Sequence, residues 1–417
     1  MCKTQQHIAT NTFGQEKKYR LKDFLDSYWD EYVKFPKHFI RPEVYKSVSA
    51  IRVCRTAKLG IEQYVCEDCG ALSEIHHSCK NRFCPTCSWQ DTMRWADKLQ
   101  YRMFDLKHRH VVFTLPHKLI GLIKQNDDLL LSVLMQVSAD VFKDWMLEKY
   151  DIKPGIISVL HTYGEKKNSH FHTHMIVSWG GINVKTNRLE EIKGEYVKYG
   201  FLQQKFRSKF EDRLVELYDT ESLTHRFSDR YTFLRFLKEI NEKNWHLNLD
   251  PPMENPLAVI RYIGRYSKRA CLSEYKITKM EGEYIAFSYK DYKNLDFKGK
   301  PIIKEMELHY SDFFPLLFQH VPFPNFRLVR YYGFYATASR IEEQYLFDPE
   351  EQEIEDSTET KDVEIKYVSP SDLRVCSSCN INKTYIYTIF EKDDTGFFRK
   401  QEDRLLDNPE FREQFFA

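Results

Sequence analysis

The segment His170 to Val177 reads His-Phe-His-Thr-His-Met-Ile-Val, and its strict alternation constrains the fold more than any other part of the chain. Because strand side chains point alternately to opposite faces, the three histidines would share one face and the apolar residues the other. Three imidazoles on a rigid strand form a platform for a metal ion. The alternative is a solvent-facing strand, which antiparallel sheets often contain. Apolar Ile156 to Leu160 and the Gly180-Gly181 pair, which permits close backbone approach, favour a packed sheet.

A second unusual segment is Tyr262-Ile-Gly-Arg-Tyr266, in which two tyrosines lie four residues apart. On a helix they would share one face. The chain has 26 tyrosines, so such a pair can also result from ordinary aromatic packing. Cations surround this pair, and they would hold phosphates and lower the pKa of a phenol. The cations are Arg261, Arg265, Lys268 and Arg269. A metal-binding strand with a paired-tyrosine helix suggests attack of a phenol oxygen on a phosphodiester.

Ten cysteines include two Cys-x-x-Cys motifs, at Cys66 to Cys69 and at Cys84 to Cys87. Their spacing is typical of a four-cysteine structural zinc site, since two such motifs supply a tetrahedron of thiolates. Cys79, His76 and His77 lie between them and are possible substitute ligands. Nearby Lys80, Arg82 and Arg94 are candidates for phosphate contacts. A third motif, Cys376 to Cys379, lacks a partner pair and is interpreted as half of a degraded zinc ribbon at most; Cys2, Cys54 and Cys271 are interpreted as ordinary thiols.

Charge is distributed unevenly along the 417 residues, although the formal net charge is only +1. Residues 94–118 are basic and residues 342–364 strongly acidic, so a near-neutral total can conceal a basic binding face. No apolar run reaches the roughly 20 residues of a membrane span, and Met1 to Lys18 lacks an apolar signal core. We therefore expect a cytoplasmic protein whose cysteines are thiols or metal ligands.

The hydrophobic pattern predicts an α+β fold in which helices pack on an antiparallel sheet. Helices are predicted at 19–59, 91–106, 119–150, 206–218, 230–244 and 257–268, and residues 310–319 and 326–335 are expected to close the main domain. Strands are predicted at 109–115, 156–163, 170–178 and 284–290, with the second and third forming a hairpin and Gly180-Gly181 ending the latter. Four regions follow: a disordered tail at 1–18, a helical lead-in and zinc-binding domain at 19–95, a main domain at 96–340 with a helical insertion near 190–250, and an acidic linker and tail at 341–417.

Several of these motifs, in the same order, resemble the two-tyrosine HUH transposases of the insertion-sequence-91 type, which are relatives of rolling-circle replication initiators and conjugative relaxases. The resemblance covers most of the chain. Besides the histidine strand, it rests on Cys54 to Gly60, Ser78 to Pro85, Val111 to Pro116, Arg261 to Arg269, Phe287 to Asp291 and Val329 to Phe334. Thr173 stands where the family usually has a larger hydrophobic residue, and Ser178-Trp-Gly-Gly181 replaces a more glycine-rich strand end. Neither change removes a catalytic group.

The resemblance implies an HUH endonuclease-like core, a small N-terminal zinc module and a transposase that nicks and joins single-stranded DNA. It implies that His172 and His174 hold a catalytic Mg²⁺ or Mn²⁺, with His170, His161 or a polar residue near the tyrosine helix as third ligand. Tyr262 and Tyr266 would be the nucleophiles and form a 5′-phosphotyrosine.

The zinc is expected at Cys66, Cys69, Cys84 and Cys87, with Cys79 as a possible ligand. Predicted DNA contacts come from Arg261, Arg265, Lys268, Arg269, Lys80 and Arg82. The implied partner is single-stranded DNA at element ends and target site, with association with the bacterial nucleoid during activity; the oligomeric state stays open. The alternatives are a replication initiator or relaxase with the same chemistry, and a non-catalytic zinc-dependent DNA-binding regulator.

Overall fold

In the part of the chain that the structure describes, every strand pairs with its neighbours in antiparallel orientation. The structure is a computed structural model, and it describes residues 19–100, 103–241, 245–253, 270–336, 374–376, 378–389 and 401–402. Its strands form three antiparallel sheets, on which the helices pack. The predicted α+β class is confirmed. The predicted tyrosine helix at 257–268 and the tail at 1–18 lie outside the described residues.

The helices and strands are numbered in chain order. The described helices are α1 (Leu21–Lys34), α2 (Pro42–Arg52), α3 (Pro85–Gln100), α4 (Ile120–Gln125), α5 (Asp127–Tyr150), α6 (Tyr199–Asp219), α7 (Arg230–Asn241) and α8 (Tyr310–Phe318). The described strands are β1 (Ile61–Val65), β2 (Leu72–His76), β3 (His108–Thr114), β4 (Ile152–Tyr163), β5 (Ser169–Asn183), β6 (Leu189–Glu191), β7 (His246–Leu249), β8 (Ile277–Glu281), β9 (Tyr284–Leu295), β10 (Pro301–His309), β11 (Val329–Gly333), β12 (Thr384–Ile389) and β13 (Gln401–Glu402).

The central sheet has the strand order β11-β4-β5-β3-β7, and β6 pairs with the end of β5. Strands β4 and β5 form the predicted hairpin around the polar turn that follows Tyr163. In this hairpin His161 lies directly opposite His172. The long, paired strands hold both side chains on a rigid surface, which is the requirement for a preorganised site.

One face of the central sheet is covered by α5 and α6. Phe113, Met175 and Val177 point to this side and belong to the largest apolar core of the described residues. Thr173 points there too and is fully buried, and its hydroxyl donates to Ser138 Oγ on α5 at 3.2 Å. Ser138 thereby satisfies the hydroxyl of Thr173, which the larger hydrophobic residue usual at this family position does not have. Without such a partner, a buried hydroxyl would be costly.

The opposite face carries the histidines at one end and an apolar patch at the other. Helix α3 lies over this patch and packs Trp95, Ala96 and Leu99 against Ile157 and Ile176. Side chains at even positions of β5 point to this face, since strand side chains alternate. The central sheet therefore has one packed apolar face and one face that carries the histidines beside an apolar patch. We call the second the histidine face.

Helices α1 and α2 do not form a core of their own. They share one with residues 271–321, in which Trp29 packs edge-on against Phe318 of α8 with 5.3 Å between ring centroids. Four cysteines, Cys54, Cys84, Cys87 and Cys271, are buried in the same core. By packing against residues 271–321, the small helical module buries apolar surface that a short segment could not bury on its own.

The C-terminal strand β12 pairs with β1 of the N-terminal hairpin. The four-stranded sheet has the order β13-β12-β1-β2, and the register runs from Ile61 opposite Ile389 to Val65 opposite Thr384. Residues near the start and near the end of the described chain therefore pair in one sheet. Sequence spacing alone gives no signal for this pairing, because the strands are more than 300 residues apart in the sequence.

Three predicted boundaries are corrected. Helix α3 begins at Pro85, not at residue 91, because a proline at the first helical position loses no hydrogen bond. The single helix predicted at 119–150 is interrupted at Asn126, whose side-chain amide donates to the carbonyls of Leu122 and Thr224. Asparagine competes for backbone groups in this way and disfavours helix.

The sequence predicts that β5 ends at Gly180-Gly181, but the strand continues through this pair to Asn183. A Cβ at Gly180 would collide with the carbonyl oxygen of Glu190, and one at Gly181 with that of Lys153. The glycines therefore permit close pairing with β6 and β4, as expected from their lack of a side chain. Among the described residues, no helix is both long and apolar enough to span a bilayer.

Candidate metal centres and nucleic-acid interface

Three imidazoles meet on the histidine face. The ligating atoms of His161, His172 and His174 all lie within 4.8 Å of one another. His161 comes from β4, and His172 and His174 come from alternate positions of β5. We call these three residues the histidine cluster. The two histidines predicted from the sequence are in it, and of the candidate third ligands the structure brings His161 to them; the exposed His170 is not in the group.

Hydrogen bonds orient the imidazoles of β5. Nδ1 of His172 lies 2.9 Å from the carbonyl oxygen of His170, so it carries the proton and donates it. The lone pair of His172 is therefore on Nε2. A backbone carbonyl is a common orienting partner for a metal-ligating histidine.

A longer chain of hydrogen bonds orients His174. Its Nδ1 lies 2.9 Å from Nε2 of His110, and Nδ1 of His110 lies 2.7 Å from Oδ2 of Asp250. The carboxylate accepts from His110, so Nε2 of a neutral His110 accepts from His174. Nε2 of His174 then keeps its lone pair. Asn248 holds the other carboxylate oxygen at 3.0 Å, which fixes the outer end of the chain.

Burial keeps these imidazoles neutral. Desolvation, and next the neighbouring His161, hold the pKa of His172 and the pKa of His174 well below the usual 6.5. Neutral imidazole is the form that binds a metal. A donor set of three nitrogens fits a first-row transition metal better than Mg²⁺, which prefers oxygen ligands.

A cleft of about 220 Å³ opens beside His161. Two exposed arginines, Arg82 and Arg327, line it together with Trp95 and Tyr331. A cationic rim next to three imidazoles suits a phosphate, which arginine binds through its planar fork. Arg82 is the predicted contact that the structure brings to the site; Arg327 was missed, because a lone arginine after Phe326 carries no motif.

The predicted nucleophiles Tyr262 and Tyr266 lie outside the described residues, as do Arg261, Arg265, Lys268 and Arg269. The described residues on either side are informative. Met253 packs against the apolar patch of the histidine face, and its backbone pairs with His108. Ala270 lines the cleft with His161, and its amide donates to Ser88 Oγ of α3 at 3.0 Å. The chain thus leaves and re-enters the described structure on the same face.

Four thiols converge at the start of α3. The sulfur of Cys54 lies 3.5 Å from that of Cys87 and 3.8 Å from that of Cys84, and the sulfurs of Cys79 and Cys87 are 3.6 Å apart. Zinc–sulfur bonds of about 2.3 Å in a tetrahedron give sulfur–sulfur edges of about 3.8 Å. The four residues, which we call the proximal thiol cluster, therefore match the dimensions of a zinc site.

A second group of four thiols joins the two ends of the chain. Cys66, Cys69, Cys376 and Cys379 have all their sulfurs within 4.8 Å of one another, and we call them the ribbon thiol cluster. The prediction of one zinc site from the two N-terminal motifs is corrected, because β1 and β2 separate Cys66 and Cys69 from the proximal cluster. Each five-residue strand is about 17 Å long, too far for one ion to join its ends.

Cys54 and the motif at Cys376 to Cys379 are likewise corrected, since they are members of clusters and not isolated thiols. The sequence does contain a signal for each. Cys54 stands before the first motif and Cys79 before the second, so the chain has more thiols than one site needs. His110 and Asp250 were missed because neither belongs to a sequence motif. His110 lies within an apolar strand, and Asp250 precedes two prolines. The predicted Lys80 is exposed beside Cys79 but does not line the cleft.

Comparison with known proteins identifies the chain. The family described as "Putative transposase" matches residues 155–343, and the family described as "Transposase zinc-binding domain", of the insertion-sequence-91 type, matches residues 24–115. The chain belongs to the insertion-sequence-91 transposases. The transposase is 28% identical over 362 residues to "Putative transposase y4qJ" of Sinorhizobium fredii, an alignment that covers 82% of this chain and 89% of the relative.

The transposase is also 27% identical over 313 residues to "Transposase for insertion sequence element IS801" of Pseudomonas savastanoi pv. phaseolicola, with 72% of each chain covered. No solved structure matches the transposase. The matched zinc-binding domain contains the whole proximal thiol cluster, which supports a structural zinc there. The DNA transposase function of the chain, and with it a role in cutting DNA, follows from the family.

Proposed function

We propose that this transposase nicks and joins single-stranded DNA, with Tyr262 and Tyr266 as nucleophiles and a 5′-phosphotyrosine as intermediate, in rolling-circle-type transposition. The observation that carries the proposal is the histidine cluster beside a cleft with a cationic rim. The segment containing both tyrosines begins and ends at described residues on the histidine face. Three metal-binding side chains, phosphate-binding arginines and two phenols are the groups that this chemistry requires.

His161, His172 and His174 hold the divalent metal in this proposal, with His161 as the third ligand. The carrying feature is that the ligating atoms of the three imidazoles lie within 4.8 Å of one another, while Nδ1 of His172 and Nδ1 of His174 each have a hydrogen-bond acceptor that orients the ring. A bound metal supplies charge neutralisation at the scissile phosphate. The all-nitrogen donor set favours Mn²⁺ over Mg²⁺.

The protein's own groups perform the transfer. The phenol oxygen of one tyrosine bonds to phosphorus and loses its proton, and the bond from phosphorus to the 3′ oxygen breaks. The leaving oxygen gains a proton and becomes a free 3′-hydroxyl. Because the phosphotyrosine keeps the energy of the phosphodiester, strand joining by the reverse reaction needs no nucleotide cofactor. The second tyrosine can cleave the other end before the first link is resolved.

The DNA is held by cations on the same face. Arg82 and Arg327 line the cleft, and in this proposal they bind phosphates of the DNA strand. Arg261, Arg265, Lys268 and Arg269 flank the tyrosines in sequence, and Lys80 adds charge near the proximal thiol cluster. The proposed substrates are single-stranded element ends and a single-stranded target, in the cytoplasm on nucleoid DNA.

Labelled oligonucleotides carrying an element end test the proposal. With Mn²⁺, a 3′-labelled strand should become covalently attached to the protein and a 5′-labelled strand should be released as a shorter product. The variant Tyr262→Phe/Tyr266→Phe should form no adduct, since it lacks both hydroxyls but keeps the ring volume. Tyr275→Phe, at an exposed tyrosine outside the segment, is the matched control and should react normally. Adduct formation by the double variant would contradict the proposal.

A further inference from the structure

Two short turns at opposite ends of the chain have the same local structure. In Cys66 to Gly70, the amide of Gly70 donates to the carbonyl of Cys66 at 2.8 Å. In Cys376 to Asn380, the amide of Asn380 donates to the carbonyl of Cys376, also at 2.8 Å. Gly70 and Asn380 both have positive φ, +68° and +56°. Glycine and asparagine are the residues that adopt this conformation most readily.

The match extends one residue further. The amide of Cys66 donates to the carbonyl of Ala71 at 3.0 Å, and the amide of Cys376 donates to the carbonyl of Ile381 at 2.8 Å. Each Cys-x-x-Cys pair is therefore held in a closed hairpin turn that points two thiols in one direction. Two such turns facing each other supply the four ligands of a structural zinc site.

The sheet brings these turns together. Strand β1 leads into Cys66, and β12 follows the turn that contains Cys376, so pairing of the two strands sets the turns side by side. The sulfurs of Cys69 and Cys376 lie 3.6 Å apart, close to the tetrahedral edge of about 3.8 Å around zinc. This separation exceeds a disulfide bond of about 2.05 Å. The proximity thus suits metal ligation and not a covalent bridge.

Besides its strand pairing with β1, the C-terminal segment, which we define as the described residues 374–376 and 378–389, makes mainly exposed or half-exposed polar contacts. Cys376 and Ile386 are buried apolar side chains of this segment, each about 1% exposed. Lys383 donates to Ser73 Oγ at 3.1 Å and Arg374 to Glu62 at 3.3 Å, both from exposed or half-exposed positions. Such exposed polar contacts stabilise little in water, and short segments usually need a metal or disulfide in addition to their apolar contacts.

We propose that Cys66, Cys69, Cys376 and Cys379 bind a second Zn²⁺, which fastens the C-terminal segment to the N-terminal zinc module. The matched zinc-binding domain ends at residue 115, so it does not contain Cys376 or Cys379. The site completes a zinc ribbon whose halves are more than 300 residues apart in the sequence. The proposal is independent of the tyrosine mechanism.

Zinc content of the purified full-length chain is the first test. Elemental analysis of the wild type should give two zinc ions per chain, and Cys376→Ser/Cys379→Ser should give one. Ser378→Ala, an exposed change within the same turn, is the matched control and should retain two. One zinc in the wild type, or two in the double variant, would overturn the proposal.

Fragment retention tests the fastening itself and needs no variant. A glutamate-specific protease should cut the acidic stretch 342–364, after which the C-terminal fragment should stay bound to the rest of the wild-type chain during gel filtration. A chelator that removes zinc should release it. The double cysteine variant should release it without chelator. Retention of the fragment after zinc removal, or in the double variant, would show that zinc does not fasten the segment.

Discussion

The proximal thiol cluster and the histidine cluster are both groups of side chains that can hold a metal ion, but their surroundings differ. The four thiols close a tetrahedron on themselves, and three of them are buried in the core shared by α1, α2 and α8. The three imidazoles occupy only part of a coordination sphere and lie beside a cleft. A closed sphere serves structure and an open one serves chemistry. Loss of the first should therefore damage the fold, and loss of the second should damage only the reaction.

The largest expected effect is on the closed site. Cys84→Ser should lose the proximal zinc and lower the free energy of unfolding by on the order of 5 kcal/mol, because metal-binding energy in such sites is folding energy. Urea unfolding followed by circular dichroism, with zinc analysis, measures both. Cys271→Ala is the matched control, a buried cysteine of the same core outside both thiol clusters. If the two variants are equally stable, the proximal cluster is not a structural zinc site.

The open site should show the reverse pattern. His161→Ala, His172→Ala and His174→Ala should each lower the nicking rate by about 10³-fold or more, since a metal contributes several kcal/mol to the transition state. Single-stranded DNA affinity and melting temperature should change little. His170→Ala is the matched control, because this exposed histidine of the same strand is outside the cluster. Equal loss in His170→Ala would mean that the cluster has been assigned to the wrong residues.

Acid should destabilise the fold at two buried histidines that are not members of the three candidate metal clusters. Burial lowers the pKa of His108 and of His320 to about 4, compared with about 6.5 in an unfolded chain. The unfolded state therefore binds more protons between these values, and stability falls as the pH drops from 6.5 to 4. Each histidine should account for about 3 kcal/mol of this loss.

Unfolding in urea at pH 7 and pH 4.5, on the wild type and His320→Gln, isolates this contribution. Zinc loss in acid affects both proteins, so the difference between them reports on His320 alone. The variant should lose less stability than the wild type over this interval. An identical loss would mean that His320 is not held neutral by burial.

The smallest expected effect concerns the outer end of the hydrogen-bond chain that orients His174. Asp250→Ala should weaken Mn²⁺ binding about 10-fold to 100-fold, the usual effect of removing the partner of a metal-ligating histidine. Nicking at saturating Mn²⁺ should recover most of the wild-type rate, and Asp250→Glu should bind Mn²⁺ more tightly than Asp250→Ala. A loss that excess Mn²⁺ does not restore would indicate a structural role for Asp250.

Local patterns predicted most of the secondary structure. Alternation identified β5, and helical spacing identified α1, α2, α5, α6 and α7, because these signals depend on neighbours a few residues apart. The predicted ends of helices were wrong where a single residue determines where a helix begins or ends. Pro85 moved the start of α3, and the side chain of Asn126 interrupted a helix that apolar spacing alone extends.

Long-range pairing could not be predicted in the same way. The spacing of Cys66, Cys69, Cys84 and Cys87 fits one zinc site in sequence, whereas the structure divides these residues between two. The division depends on β1 pairing with β12, which no local pattern encodes. Likewise, His161 could be named as one of several candidates, but only the register of β4 on β5 brings it opposite His172.

Mass spectrometry of the trapped adduct tests most directly the proposal that Tyr262 and Tyr266 attack the DNA. Trypsin cuts after Arg261, Arg265 and Lys268, so the two tyrosines fall in different peptides and can be distinguished. We predict a nucleotide linked through phosphate to one of these two peptides. A DNA-linked tyrosine in any other part of the chain would contradict the claim.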